Sequence, residues 1–280
     1  TGNVFEAPIG QYAHPNSNVP GLLNIGTSIT GGYVYRGSLI PDLVGTYIFG
    51  DWTSSFSNPS GTLLALEPDG PNFDLSILDI ESGNPLDFFV PAFGEDESGE
   101  IYVAGKTTLA PSAGDPLSGG PTGSIYRLAL ALPLAPLPAV RLEPVVEASF
   151  PSPVAITNAG DGSGRLFVVD QRGKIHIIDS AGQLVTPPFL DLSARLVAER
   201  PGFDERGLLS AAFHPDYTNN GKFYVYYSAP SPKAPGTENA PVDHQSVVAE
   251  YTVSGDANVA DADSERILLT FDQPQFNHDG

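Results

Sequence analysis

Asp204, Glu205 and Arg206 stand together just before an uncharged run, Gly207 to Phe213. Two carboxylates beside a guanidinium can hold a cation, orient a substrate hydroxyl, or neutralise one another as a surface ion cluster. Spacing alone leaves these open. A second acidic group, Gly94-Glu-Asp-Glu-Ser-Gly-Glu100, offers hard oxygen ligands of the kind calcium takes. It lacks the full EF-hand spacing, and a solvated acidic turn describes it as well. Of the five histidines, His214 sits in Phe-His-Pro as a structural residue, and His176 and His244 fall in no motif.

The elements around these residues read as strands. Gly207–Phe213 is short enough for a strand buried on both faces, and Phe223–Tyr227 is β-branched and aromatic. Pro215, Asp216, Asn219, Asn220 and Gly221 punctuate the turn between them. An acidic-basic cluster at the mouth of such a strand is where a propeller keeps its polar site, close to the central axis. Further strands read at 31–35, 45–50, 61–66, 75–80, 99–103, 123–128 and 145–150 in the first half. In the second they read at 153–157, 165–170, 174–179, 183–190, 247–253 and 266–271. With 30 glycines, 27 prolines and little helical periodicity, the fold class expected is all-β. It is a β-propeller of four-stranded antiparallel blades, about four in this chain.

Four blocks resemble the glucose/sorbosone dehydrogenase family, which includes soluble quinone-dependent sugar dehydrogenases and hedgehog-interacting propellers. They are Asp204–Ser228; Gly160-Asp-Gly-Ser-Gly-Arg-Leu-Phe-Val-Val-Asp-Gln-Arg-Gly173; Thr30–Gly37 with Gly45–Asp51; and Asn277-His-Asp-Gly280. Asp-Glu-Arg-Gly-Leu-Leu is closer to the hedgehog-interacting branch. The order is inverted: residues 1–129 resemble the family's C-terminal part, and residues 145–280 its N-terminal part. The middle is absent, so the chain reads as permuted or partial relative to a six-bladed ring. The Ala/Leu/Pro-rich stretch 130–144 reads as a semi-extended connector.

The resemblance implies a chemistry and a set of residues. His278 matches the general base that takes a sugar hydroxyl proton as hydride passes to the quinone. Glu205 stands where sugar oxidases often have Gln, and would orient substrate or hold a cation. Arg36, Tyr12 and Arg206 are the candidate cofactor contacts, with His14 beside Tyr12; metal ligands are not identified. The implied cofactors are pyrroloquinoline quinone (PQQ) and calcium, and the implied substrate a sugar or aldose. Thr62 departs from the pattern, since relatives place there a basic residue that pairs with the quinone's carboxylates. The alternative function is a non-catalytic extracellular propeller for binding, adhesion or repeating surface assembly. These residues alone are expected to be inactive.

Composition narrows the setting. The formal charge is −20 with 13 Lys and Arg, which repels nucleic acid and anionic membranes. No run approaches the ~20 apolar residues of a membrane helix. Cysteine is absent, excluding disulfides and thiolate metal sites. Methionine is absent too, so the expectation is a processed product or fragment, secreted, periplasmic or on the cell surface. Exposed strand edges in an open arc invite self-assembly.

Overall fold

The computed structural model describes residues 8–17, 19–109, 119–131, 140–200, 202–232 and 242–277. Its regular structure is almost wholly strand. β1 (Ile29–Val34), β2 (Tyr47–Asp51), β3 (Thr62–Asp69) and β4 (Asn72–Ile77) form the first sheet. β5 (Phe89–Glu95), β6 (Ile101–Lys106), β7 (Gly123–Leu130) and β8 (Val140–Pro144) form the second. The third holds β9 (Pro153–Asn158), β10 (Leu166–Asp170), β11 (Lys174–Ile178) and β12 (Leu184–Asp191). The fourth holds β13 (Leu208–Phe213), β14 (Lys222–Ala229), β15 (His244–Val253) and β16 (Ala260–Gln273). Each sheet is an antiparallel meander in chain order. The first strands of successive sheets, β1, β5, β9 and β13, pack against one another in that order around a common axis. This is a propeller arc of four blades.

Three cores bind the blades in sequence. Tyr35, Ile48 and Leu63 of the first blade meet Val90, Phe93 and Val103 of the second. Tyr102, Ala104 and Ile125 meet Ile156, Leu166 and Val168 of the third. Phe167, Val169, Ile175 and Phe189 meet Phe223, Val225 and Tyr251 of the fourth. Alternate residues of β10 therefore enter different cores, so every position from Leu166 to Asp170 is buried. A strand sandwiched between two sheets has no solvent face to mark with polar residues.

The fourth core lies outside the arc. Phe49, Leu64 and Leu66, on the first blade's far face, are covered by Ile25 with Tyr12 packed alongside. A bridge from Ala13 to Asn24 braces this N-terminal cap.

Two strand expectations need correction. The stretch 145–150 is not a strand; its backbone meets the second blade at the Phe150–Gly123 bridge and a Val145 N–H bond to Ile125 O, and Phe150 packs into the core beside Ala104 and Ile125. The blade's fourth strand is β8, inside the stretch read as connector. Pro144 ends the strand without interrupting Val140–Glu143, and an outermost strand tolerates proline at its end. β5 is an addition. Its Pro91 sits where the β5–β6 register shifts between Phe89 and Ala92, a bulge that spares the proline a ladder bond.

Candidate functional site at the axial mouth

The strands that line the axis also frame a cavity of about 490 Å³. Ile29, Thr30 and Gly31 of β1, Phe89 and Pro91 of β5, Val154 of β9 and Leu209 beside Leu208 contribute wall from all four blades. Second strands reach the same end: Trp52 follows β2, Lys106 closes β6 and Gln171 follows β10. Trp52 stacks on Phe89 with ring centroids 5.2 Å apart, giving one aromatic side to the cavity.

In the first three blades the last residue of the second strand pins a segment that enters an inner strand. Asp51 accepts from the Thr27 and Ser28 N–H groups ahead of β1, each at 3.0 Å. Asp170 accepts from Ser152 N ahead of β9 at 2.9 Å. In the second blade the position is Lys106, whose Nζ donates to Pro151 O at 2.6 Å and Thr122 Oγ1 at 3.1 Å. Burial lowers the Lys106 pKa to about 8, with Asp170 pulling it back up. The folded value lies below the ~10.4 of an unfolded lysine, so the unfolded chain binds more protons between the two. Stability of the native chain relative to Lys106→Met is therefore expected to rise between pH 8 and ~10.4, as read by urea unfolding.

The segment before β13 is held just as firmly. Gln171 Nε2 donates to Asp204 O at 2.8 Å and Arg206 O at 3.0 Å, while its Oε1 accepts from Ser152 Oγ. Gly207 has φ of +145° and approaches so closely that a Cβ there would stand 2.2 Å from Gln171 O. Only glycine satisfies both demands. This close approach presents Glu205 to the cavity.

The residues nominated from sequence are not gathered in one place. Glu205 lines the cavity. Arg206 is buried beside it, with Nε and Nη2 on the two Asp204 oxygens at 2.9 and 2.7 Å and Nη1 on Asp243 at 3.0 Å. Burial would raise the Asp204 pKa, but the Arg206 guanidinium and the Arg200 and Arg206 N–H groups hold it below the usual carboxylate range. Tyr12 belongs to the N-terminal cap and donates its hydroxyl to Asp51 Oδ2 at 2.6 Å. Its pKa is raised by burial and by that hydrogen bond. Arg36 follows the far end of β1, roughly 15 Å along the strand from the cavity wall, with Nη1 3.8 Å from the Glu95 carboxylate. His14 is exposed. His278 lies outside the described residues.

The acidic turn is structural. Asp96 Oδ1 accepts from Ser98 and Glu100 N–H, while Glu100 accepts from Tyr35 Oη and Ser38 N. Glu97 reaches across to the Asp161 and Gly162 N–H groups, tying the second blade to the third. Lys106, Trp52 and Gln171 are the cavity residues that sequence reasoning did not nominate as ligand contacts. The recurring strand-end position shared by Asp51, Lys106 and Asp170 was the available signal.

The fold and its axial mouth define a β-propeller, and comparison places it among known ones. Residues 150–278 match the Glucose / Sorbosone dehydrogenase family, so that part of the propeller is glucose/sorbosone dehydrogenase-like. Mouse (Mus musculus) Hedgehog-interacting protein is 38% identical over 129 residues, covering 46% of this chain and 18% of that protein. The human (Homo sapiens) protein is 42% identical over 102 residues, covering 36% and 14%. The HIPL2 protein of Arabidopsis thaliana is 26% identical over 156 residues, covering 43% and 22%. The chain thus spans less than a quarter of the length of these relatives. Among solved structures, an endo-arabinase from Bacteroides thetaiotaomicron aligns over 87% of this chain and 85% of its own, at 13% identity and a TM-score of 0.42. A glucose dehydrogenase aligns over 38% and 26%, at 16% identity and 0.29.

Proposed function

We propose that this chain is a non-catalytic binding propeller of a secreted or cell-surface protein, with the axial mouth around Glu205, Lys106 and Trp52 as its recognition site. The observation that carries this reading is the fate of the nominated cofactor contacts. Arg206 is saturated by Asp204 and Asp243, Tyr12 serves the cap, and Arg36 stands at the other end of the inner strand. The relatives point the same way, since two of them carry the name Hedgehog-interacting protein. A protein partner is the corresponding expectation here. No helix among the described residues is long and apolar enough to cross a membrane.

PQQ does not fit the residues present. Its carboxylates call for several fixed cations or a metal ion. The described lining supplies one lysine, already donating to Pro151 and Thr122, against the carboxylates of Asp204 and Glu205. Thr62, buried in β3 opposite Asp51, adds no charge. Among the described residues no group of three or more His, Asp or Glu is placed to hold a metal.

Trp52 is the single tryptophan and lines the cavity, so its fluorescence reports on the site. Titration with PQQ and calcium is expected to give no saturable quenching up to ~100 μM, and dye-coupled aldose oxidation is expected to stay at background. Turnover that disappears in His278→Ala would restore the enzyme.

A further inference from the structure

Several polar groups at the axial mouth are satisfied within its own wall. Thr30 Oγ1 donates to Val90 O at 2.7 Å. Ser152 Oγ bonds the Gln171 side chain, whose Nε2 bonds the backbone of Asp204 and Arg206. Lys106 is held by Pro151 O and Thr122. Much of what the wall leaves open to solvent is apolar. Ile29 begins β1, Leu109 follows β6 and Phe203 precedes β13, yet all three line this one cavity. They are 65%, 36% and 43% exposed respectively. Beside them Phe56 meets Trp52 edge-on with ring centroids 5.6 Å apart, and Trp52 in turn stacks on Phe89. A single exposed apolar residue is ordinary on a surface, whereas several from distant segments converging on one concavity mark an interaction site.

Building on the reading of the mouth as a recognition site, we infer that it is filled by an aromatic side chain carried on a basic segment of a protein partner. An aromatic ring buries a large area and extends the row formed by Phe56, Trp52 and Phe89. A polyhydroxy ligand such as a sugar would give up its bonds to water against groups already bonded to one another, which costs free energy. Charge selects the flanks of the anchor. The cations at this end of the molecule are engaged: Arg172 lies 3.4 Å from Glu199, Arg200 2.6 Å from Asp243 and Arg206 2.7 Å from Asp204. Glu205 adds a carboxylate to the wall, and the chain as a whole sets 33 acidic residues against 13 basic ones. Such a field draws basic segments toward the mouth and turns acidic ones away. A ring seated in a concavity whose apolar rim excludes water is the arrangement that concentrates binding energy on one residue.

The test is Trp52 fluorescence of the full chain, titrated with acetylated and amidated tripeptides from ~0.01 to ~5 mM. Lys-Phe-Lys is expected to give a saturable change with Kd below ~1 mM. Lys-Ala-Lys, which lacks the anchor, and Glu-Phe-Glu, which reverses the flanks, should each bind at least ~10-fold more weakly. Phe203→Ser should weaken Lys-Phe-Lys at least ~5-fold with an unchanged circular dichroism spectrum. Ile77→Ser, an exposed site on the outermost strand of the first blade, should leave binding intact. A chain that gives no saturable change with Lys-Phe-Lys overturns the inference. So does equal binding of either control peptide, binding that survives Phe203→Ser, or binding that is lost in Ile77→Ser. Equal binding of Glu-Phe-Glu would still leave the mouth a recognition site, of a different charge preference. PQQ binding with dye-coupled turnover would instead sink the functional reading on which this inference rests.

Discussion

Asp51→Ala is expected to lower the unfolding free energy by roughly 3–5 kcal/mol, read as a shift in urea midpoint at unchanged slope. Its carboxylate is fully buried and accepts four hydrogen bonds. Tyr12 Oη donates at 2.6 Å, and the N–H groups of Thr27, Ser28 and Thr53 each donate at 3.0 Å. Alanine leaves the Ser28 and Thr53 N–H groups without an acceptor, while Thr27 N keeps Thr53 O at 3.1 Å, and each such loss costs about 1–3 kcal/mol when water cannot replace it. The loss does not stay local. Gly26 lies so close that a Cβ on it would stand 1.8 Å from Asp51 Cγ, so the cap is built onto this carboxylate. Hydrogen exchange at Ile25, Thr27 and Ser28 should accelerate in Asp51→Ala far more than on β10. Tyr12→Phe removes one bond of the four and should cost only about 1 kcal/mol. Equal effects from the two substitutions would show that the cap is not organised by Asp51.

Arg206→Met is expected to cost about as much, roughly 3–5 kcal/mol, because it strands a buried carboxylate. Asp204 and Arg206 side chains are 1% and 4% exposed, and the guanidinium also bonds Asp243 and Ala198 O. Replacing both members, as Asp204→Leu with Arg206→Met, should recover part of the loss, since an apolar pair leaves no unpaired charge. The sign of the pH dependence follows from Asp204, whose carboxyl is held below its unfolded value. Its contribution is complete above the unfolded pKa of ~3.9 and is lost as pH falls through the lower folded value. Wild type and Arg206→Met should therefore converge in stability on acidification below about pH 4. A constant gap down to pH 2 would detach the effect from this pair.

Much of the architecture was legible in the residues, and the exceptions have physical causes. The run Gly207–Phe213 announced a strand, but it is not buried on both faces, since burial alternates along Leu208–Phe213 and one face is open; the Gly-Asp-Gly-Ser-Gly turn announced where β9 returns as β10. β5 was hidden because Pro91 argues against an interior strand unless a bulge takes it, and a bulge is a tertiary event. β8 was hidden because the prolines on either side of Val140–Glu143 gave the whole stretch their character. At the site, Glu205 was legible as a polar residue at the head of a buried strand. Arg206 was read as a ligand contact because sequence cannot show that Asp243, on a different segment, arrives to complete its pairing. Lys106 was overlooked for the complementary reason: a lysine at a strand end looks solvent-facing until the next blade's Pro151 closes over it.

Because every sheet is a run of consecutive strands and each core is shared only with the next sheet, the molecule is a short one-dimensional stack. Its inner members hold through two interfaces and its end members through one. The stack is also polar, since among the described residues the first sheet is clamped by the N-terminal segment and the fourth is not. Cooperative opening in such an array starts at the unclamped end and travels inward. The fourth sheet, which also presents Glu205 at the axial mouth, is thus the first to loosen. A partner seated on it would brace the recognition site by the same act, without touching it.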